Sequence, residues 1–299
     1  MKWMEAVVTF ETGDFFTGIA LDLVCNIFYE SGLAGVVTED TVPTGEHMAR
    51  GRVLGYFPVN EEFADRKANL EKMAADLFER NRIRCKVDFF PCDDRDWANA
   101  WKEHFHVHKV GNGLVIRPTW REYTPRDGEV VIDLDPGMAF GTGTHPTSAM
   151  CLAMIEKYVW PGCVFLDVGT GSGILMIAAG KLGAGMVWGI DNDSTALSVA
   201  LENLEQNGLE PDSYRLIHAD GVAGISGQFD IVVANILSEV IVGLARDVFN
   251  VLVPGGLFIC SGIIEQKREM VEQKLQNCGF SIRETALTES WVCMVAKKG

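Results

Sequence analysis

The segment Asp167–Gly173 combines an acidic residue with closely spaced glycines, a pattern that brings backbone close to a small ligand. The glycines occupy alternate positions, at Gly169, Gly171 and Gly173. Because glycine has no Cβ, the chain can turn tightly here without an intervening side chain. Apolar runs on both sides predict a buried strand before the turn and a helix after it. The spacing is not the G-x-G-x-x-G dinucleotide fingerprint, and no Lys-Ser or Lys-Thr follows, which excludes a phosphate-cradling P-loop.

Two further acidic residues close predicted strands downstream of this turn. Asp191 ends the run Val187–Ile190 and stands 20 residues after Gly171, where a carboxylate can accept hydrogen bonds from both ribose hydroxyls of an adenosine. Asp220 ends a third predicted strand and is placed to meet the adenine edge. Glycines between a strand and a helix can serve packing alone. Three predicted strands that end in Gly or Asp at one edge of the sheet, however, favour a nucleoside site. Asp193, in contrast, precedes a helical run and is predicted to cap it.

The segment Asp135–Thr147 is unusually rich in glycine and threonine. It precedes a helix that is predicted over Ser148–Tyr158. A loop of this composition just ahead of the glycine turn predicts a wall or lid for the ligand, with Phe140 and Thr144 as candidate contacts. The alternative is an elaborate helix start, in which Thr144 or Thr147 supplies the N-cap.

Asn235 follows the predicted strand Phe229–Ala234. Amide and adenine N-methyltransferases often carry Asn-Pro-Pro-Tyr or Asn-Pro-Pro-Phe at this place, where the Asn and an adjacent carbonyl grip a planar amino group. Here Ile236 and Leu237 stand in place of the prolines, and the aromatic residue is absent. The role of Asn235 therefore depends on what the rest of the sequence resembles.

The apolar pattern divides the chain into two predicted domains. Residues 1–92 show the order βαββαβ, which predicts a ferredoxin-like α+β domain. The stripe of Trp97, Trp101 and Phe105 predicts a linker helix over residues 93–110. Residues 111–299 predict a doubly wound, Rossmann-like α/β sheet of seven strands that ends in an antiparallel pair. In the first domain, strands are predicted over Met4–Phe10, Ala34–Thr38, Arg52–Phe57 and Cys85–Phe90, with helices over Gly18–Ser31 and Glu61–Arg82.

Composition limits the classes of partner. The 299 residues carry a net charge of −15, which disfavours direct nucleic-acid binding and favours a basic partner, although solubility alone would also explain it. The eight cysteines form no C-x-x-C pair and predict reduced core thiols in a cytoplasmic protein. Neither an export signal nor a membrane span is predicted. His104, His106 and His108 could share one strand face, but no Cys or carboxylate pair accompanies them, so no metal site is predicted.

The sequence resembles the bacterial ribosomal protein L11 methyltransferase (PrmA) family of class I methyltransferases, which use S-adenosyl-L-methionine (SAM). The run Phe140–Thr147 is the most specific part of the resemblance. The other matching segments are Asp96–Lys102, the remainder of Asp135–Thr147, Asp167–Gly173, Gly189–Asp191, Val233–Leu237, Pro254–Gly256 and Ser261–Gly262. An N-terminal ferredoxin-like domain that holds the substrate is a further feature of the family.

The resemblance implies roles for individual residues. Gly169 and neighbouring backbone would hold the methionine part of SAM, Asp191 its ribose, and Asp220 with Gly221 its adenine. In the family a Thr after His-Pro-Thr contacts the cofactor; this chain has Ser148 there, which keeps the hydroxyl. Asn235 would lie near the methyl group and the incoming amine, as the catalytic residue.

The resemblance also implies the reaction, which is methylation of lysine side chains and the N-terminal α-amine of L11, free or on the large subunit, by a cytoplasmic monomer. Two alternatives remain open. One is a related methyltransferase that acts on lysines of another protein or on a small amine. The other is a SAM-binding ribosome-assembly module that performs no catalysis.

Overall fold

A computed structural model of the chain describes residues 2–13, 17–33, 36–45, 48–93, 105–135, 143 and 145–299. The chain divides into two compact units, Met1–Phe105 and His106–Gly299. Each unit has its own hydrophobic core. Among the described residues, no helix is both long and apolar enough to cross a membrane.

The first unit has the predicted order of strands and helices. Its elements are β1 (Lys2–Gly13), α1 (Thr17–Glu30), β2 (Val36–Gly45), β3 (Met48–Pro58), α2 (Phe63–Asn81) and β4 (Arg84–Asp93). The strands form one antiparallel sheet in the order β2-β3-β1-β4. Alternate residues of β1, such as Ala6, Val8 and Phe10, pack with apolar residues of both helices because side chains of a strand alternate between its two faces.

All four strands of this unit are longer than the sequence predicts. The polar segment Glu39–Arg50 lies between two predicted strands, but β2 and β3 continue through most of it and pair Val42 with Arg50. Backbone hydrogen bonds hold such a pair whatever the side chains, so an alternating apolar pattern is not needed at an edge strand. The strand β4 likewise continues past Pro91, which is tolerated because β4 is the other edge of the sheet.

The predicted linker helix over residues 93–110 falls mostly on residues 94–104, which lie outside the described residues. At its ends the prediction is wrong. Asp93 ends β4, and His108–Val110 form β5. The short strand β5 pairs with β6 (Leu114–Arg117), so its conformation is fixed by a neighbouring strand rather than by its own apolar pattern.

The second unit contains a small and a large sheet. The small sheet joins β5 antiparallel to β6, and β6 parallel to β7 (Val130–Asp133). The large sheet has the order β10-β9-β8-β11-β12-β14-β13. Its strands are β8 (Val164–Val168), β9 (Met186–Asp191), β10 (Tyr214–His218), β11 (Phe229–Asn235), β12 (Leu252–Ile264), β13 (Phe280–Thr288) and β14 (Trp291–Lys298).

The five strands β8 to β12 are parallel, and β14 runs antiparallel to both of its neighbours. The seven strands and the final antiparallel pair confirm the prediction for this region. The helices are α3 (Pro146–Tyr158), α4 (Ile174–Lys181), α5 (Ser194–Gln206), α6 (Ser238–Val251) and α7 (Arg268–Asn277). Apolar residues pack on both faces of the sheet, as Phe165 and Leu166 show by pointing into different core clusters.

Strand order reverses between β8 and β11. From β8 the chain adds β9 and β10 on one side, and then returns to place β11 and β12 on the other side. Such a switch point leaves a crevice at the carboxyl ends of the two strands, where ligands of doubly wound sheets bind.

Candidate active site

The predicted glycine turn lies at this crevice and links β8 to α4. Gly169, Gly171 and Gly173 have φ angles of 75°, 53° and 79°, a region that favours glycine. The amides of Gly169 and Thr170 donate to Ile190 O at 2.8 and 3.0 Å, which fixes the turn against β9. A Cβ on Gly169 would lie 2.7 Å from Cγ2 of Ile236, so the turn also lies against the segment that follows β11.

Asp191 lies at the end of β9 and contacts the glycine turn directly. Its Oδ2 accepts a hydrogen bond from the amide of Gly171 at 2.9 Å, and its Oδ1 accepts one from the amide of Asp193 at 3.0 Å. Each carboxylate oxygen can accept a second bond, so both can still bind hydroxyl groups. The Asp193 side chain accepts from the amide of Thr195 at 2.8 Å, which confirms the predicted N-cap of α5.

Asp167 is fully buried at the carboxyl end of β8. Its Oδ2 accepts a hydrogen bond from Thr170 Oγ1 at 2.8 Å, whereas its Oδ1 is buried and has no hydrogen-bond partner among the described residues. Burial raises the pKa of Asp167 to about 7; the Thr170 hydrogen bond opposes this shift, and the charge of Asp191 adds to it. The site therefore holds a carboxyl group whose ionised form is destabilised.

Asn235 and Ser148 meet at the same edge of the sheet. Asn235 ends β11, where the preceding Ala234 pairs with Val168 next to the glycine turn. Its Nδ2 donates to Oγ of the buried Ser148 at 3.1 Å. Two residues that are 87 positions apart in the sequence are thus brought into contact.

The start of α3 differs from the prediction. The helix begins at Pro146 rather than at Ser148, and its N-cap is His145, neither of the two predicted threonines. The ring Nδ1 of His145 accepts from the amide of Thr147 at 3.3 Å and lies 2.7 Å from Thr147 Oγ1. Proline at the first helical position is a recognised start signal, and it would have placed the N-cap at His145. The imidazole is also edge-on to the Trp291 ring, at 5.2 Å between centroids.

The other predicted site residues make no described contact with the glycine turn, Asp191 or Asn235. Asp220 is exposed just beyond β10, whose last residue His218 pairs with Asp191. Asp220 therefore lies at the same carboxyl edge of the sheet as Asp191, the candidate for the ribose. Phe140 and Thr144 lie outside the described residues.

Sequence reasoning gave no separate role to the residues that hold the segment after Asn235. The amide of Ile236 donates to Ser261 O at 3.1 Å. A Cβ on Gly262, which has a φ of 85°, would overlap the carbonyl oxygen of Ile236. Ile236, the residue after Asn235, therefore lies between two glycines, with Gly169 against its side chain and Gly262 against its backbone. In the sequence, the pair Ser261–Gly262 after the apolar run Leu257–Cys260 could have indicated this close backbone contact.

No group of three or more His, Cys, Asp or Glu side chains among the described residues is arranged to hold a metal ion. Two of the three candidate histidines, His106 and His108, belong to those residues, and His104 does not. Burial lowers the pKa of His108, which favours its neutral form.

Comparisons with known proteins agree with the motif-based resemblance. The family model of ribosomal protein L11 methyltransferase (PrmA) matches residues 15–299. A ribosomal protein L11 methyltransferase from Desulfosudis oleivorans is 61% identical over 300 residues, which cover 100% of this chain and 99% of that relative. One from Desulforapulum autotrophicum is 43% identical over 306 residues, with 99% of each chain covered.

A solved structure is also similar. The crystal structure of ribosomal protein L11 methylase from Lactobacillus delbrueckii subsp. bulgaricus is 34% identical and matches with a TM-score of 0.62. The match covers 65% of this chain and 100% of that one. With the matches along the sequence, these findings show that the chain belongs to the ribosomal protein L11 methyltransferase (PrmA) family.

Proposed function

We propose that this protein transfers methyl groups from SAM to amino groups of ribosomal protein L11. Family membership and the names of the relatives support the choice of substrate. The observation on which the proposal depends most is the hydrogen bond between Asn235 and Ser148 beside the glycine turn. It joins a candidate amine-binding group to the crevice of a fold whose parallel strands suit a nucleoside ligand.

The residues at the crevice fit SAM. The backbone from Gly169 to Gly173 would hold its methionine part, the free lone pairs of Asp191 would accept the ribose hydroxyls, and Asp220 would meet the adenine. The Oδ1 of Asp167, which has no hydrogen-bond partner in the described part of the chain, supports this assignment, because a cationic ammonium group nearby would favour the ionised form of the carboxyl group. When bound, SAM supplies an electrophilic methyl group on a positively charged sulfur that leaves as a neutral thioether.

Asn235 would orient the acceptor amine. Because its Nδ2 donates to Ser148, its Oδ1 is directed away from that hydroxyl and can accept a hydrogen bond from an amine N–H. The segment after it is confined by Gly169 and Gly262, so the amide is held by its backbone as well. Alignment of this kind is a large source of rate when two reactants must meet in line.

The amine must be neutral when it attacks, because a protonated nitrogen has no lone pair. The ordinary pKa is about 10.4 for a lysine and about 8 for an α-amine. The amide of Asn235 does not titrate in this range, so it can orient the nitrogen but cannot remove its proton. The chain would then use the neutral fraction of the amine, with catalysis that depends on positioning rather than on a general base.

We assign the acceptors to lysine side chains and the N-terminal α-amine of L11, and the task of holding L11 to the first unit. The strand order β2-β3-β1-β4 with two helices supports a ferredoxin-like arrangement of that unit. The net charge of −15 supports a basic protein partner.

The test is to incubate the purified protein and labelled SAM with L11 from the same source, beside other large-subunit ribosomal proteins, and to locate the methyl groups by mass spectrometry. We expect methyl groups on lysines and the α-amine of L11, and much slower labelling with Asn235→Ala. If L11 stays unlabelled while SAM binds, the cofactor assignment is kept and the substrate assignment is wrong.

A further inference from the structure

The N-cap of α6 is occupied by an exposed leucine. Leu237 is 69% exposed, the largest value for any big apolar side chain among the described residues. It has the extended backbone of an N-cap, with a φ of −60° and a ψ of 143°, but its side chain makes no capping hydrogen bond. The next apolar residue on this side of the helix, Val240, is 45% exposed.

Neither the leucine at the N-cap nor its exposure to water stabilises the fold. Serine, threonine, aspartate and asparagine stabilise an N-cap because their side chains accept a hydrogen bond from a free backbone amide, which leucine cannot do. Exposure of a leucine to water also forgoes the gain of burying it. Where a residue breaks two local rules at once beside a functional site, a contact with something outside the folded chain is the simplest cause.

The position of Leu237 is fixed relative to Asn235. The intervening Ile236 is confined between Gly169 and Gly262, with its side chain on the glycine turn. The amide of Val240 donates to the carbonyl oxygen of Leu237 at 3.0 Å, which fixes the first turn of α6. Leu237 and Val240 are three residues apart and lie on one face of the helix start. Both are exposed, so they form an apolar surface at the start of α6, and Leu237 is two residues beyond the amide that is assigned to the acceptor amine.

We propose that Leu237, with Val240, contacts the aliphatic stem of the lysine side chain whose amine reaches Asn235. This inference rests on the proposed function. A lysine presents methylene groups that gain from an apolar surface and, at their end, a nitrogen that needs a polar partner. The pair Leu237 and Asn235 offers these two environments in that order. An N-terminal α-amine has no such stem, so Leu237 sets the preference for lysine over the α-amine.

The substitution Leu237→Ser tests this without a loss of fold, because serine is a preferred N-cap residue. We expect an equal or higher Tm and an unchanged SAM affinity by calorimetry. With intact L11 as substrate, site-resolved mass spectrometry should show initial lysine methylation about tenfold slower at limiting L11, the range expected for a lost apolar contact of this size. Methylation of the α-amine should stay within about twofold, as it does not use this contact.

The matched control is Leu287→Ser on the edge strand β13, where Leu287 is 49% exposed and lies three strands away from β11. It should leave both rates unchanged, and Leu237→Met should restore most of the lysine rate. Equal slowing of lysine and α-amine methylation in Leu237→Ser, or no slowing of either, would overturn the inference. Failure of the unsubstituted protein to methylate L11 would instead overturn the proposed function, and the inference with it.

Discussion

The two sides of the candidate active site are built by different means. On the side of β8 and β9, the contacts are made by backbone: amides of the glycine turn bond to Ile190 O and to the Asp191 carboxylate. On the side of β11 and α3, side chains bond to one another or to the helix start, as in Asn235 with Ser148 and His145 with Thr147. The first side should therefore be sensitive to any added Cβ, and the second to the chemistry of single side chains. Substitutions on the two sides should separate SAM binding from methyl transfer.

A large effect on both stability and SAM binding is expected on the backbone side, for Gly169→Ala. An alanine there combines a φ of 75° with a Cβ 2.7 Å from Ile236, so the free energy of unfolding should fall by about 2–4 kcal/mol. The turn must also shift, and the SAM affinity should fall by at least about tenfold in calorimetry. Gly208→Ala is the control, because Gly208 has a φ of 72° and no atom near its Cβ position. Equal losses of SAM affinity in both variants would contradict this view of the turn.

On the side-chain side, Asn235→Ala should act on the reaction. We expect kcat on L11 to fall by about 100-fold, the usual effect of removing one positioned hydrogen-bonding group. The Kd for SAM should change by no more than about threefold, since the turn and Asp191 remain in place. The measurement is single-turnover methylation next to calorimetry. Equal losses in rate and affinity would make Asn235 a cofactor contact only.

A smaller effect is expected at His145, which acts through the helix start. His145→Ala removes the N-cap of α3 and should lower the free energy of unfolding by about 1 kcal/mol. The less ordered Ser148 should then slow methylation by about threefold, with little change in KM. Asparagine can also cap, so His145→Asn should recover both stability and rate. If Asn does not recover the rate, the imidazole has a role other than capping.

A separate effect, on stability rather than on SAM binding or methyl transfer, concerns Asp167 and pH. Its pKa in the folded protein is about 7, above the ordinary 3.8, so the folded chain binds this proton more tightly than the unfolded chain does. The contribution of Asp167 to the free energy of unfolding should therefore fall as pH rises from about 4 to about 7, and stay level above that. Urea unfolding without SAM, compared between the unsubstituted protein and Asp167→Asn, isolates this contribution. A pH-independent difference between the two would contradict it.

The backbone side could be predicted from the sequence because its parts are local. The strand, the glycines and the helix from Val164 to Lys181 are contiguous, and Asp191 follows in the next strand. The parallel strands predicted from apolar runs formed as expected, since strands buried on both faces require such runs. The spacing of 20 residues after Gly171 selected Asp191 as a candidate for the ribose, and the structure shows in addition that its carboxylate accepts a hydrogen bond from the Gly171 amide.

The side-chain side could be predicted only in part, because its contacts join distant segments. Asn235 and Ser148 were each chosen from a resemblance, and only the fold shows that they touch. The N-cap was missed because histidine is an unusual capping residue. Strand β5 and the outer part of the β2–β3 pair were missed because a paired neighbour, rather than an apolar pattern, determines their conformation.

The most direct test of the account is to measure SAM affinity and the single-turnover rate on L11 in Asp191→Ala and Asn235→Ala, side by side. We predict that Asp191→Ala abolishes SAM binding while the protein stays folded, because the carboxylate fixes Gly171 and, in the proposed site, would accept the ribose hydroxyls. Asn235→Ala should bind SAM and transfer methyl groups slowly. An unchanged SAM affinity in Asp191→Ala would contradict the cofactor site, and with it the division of the crevice into two sides.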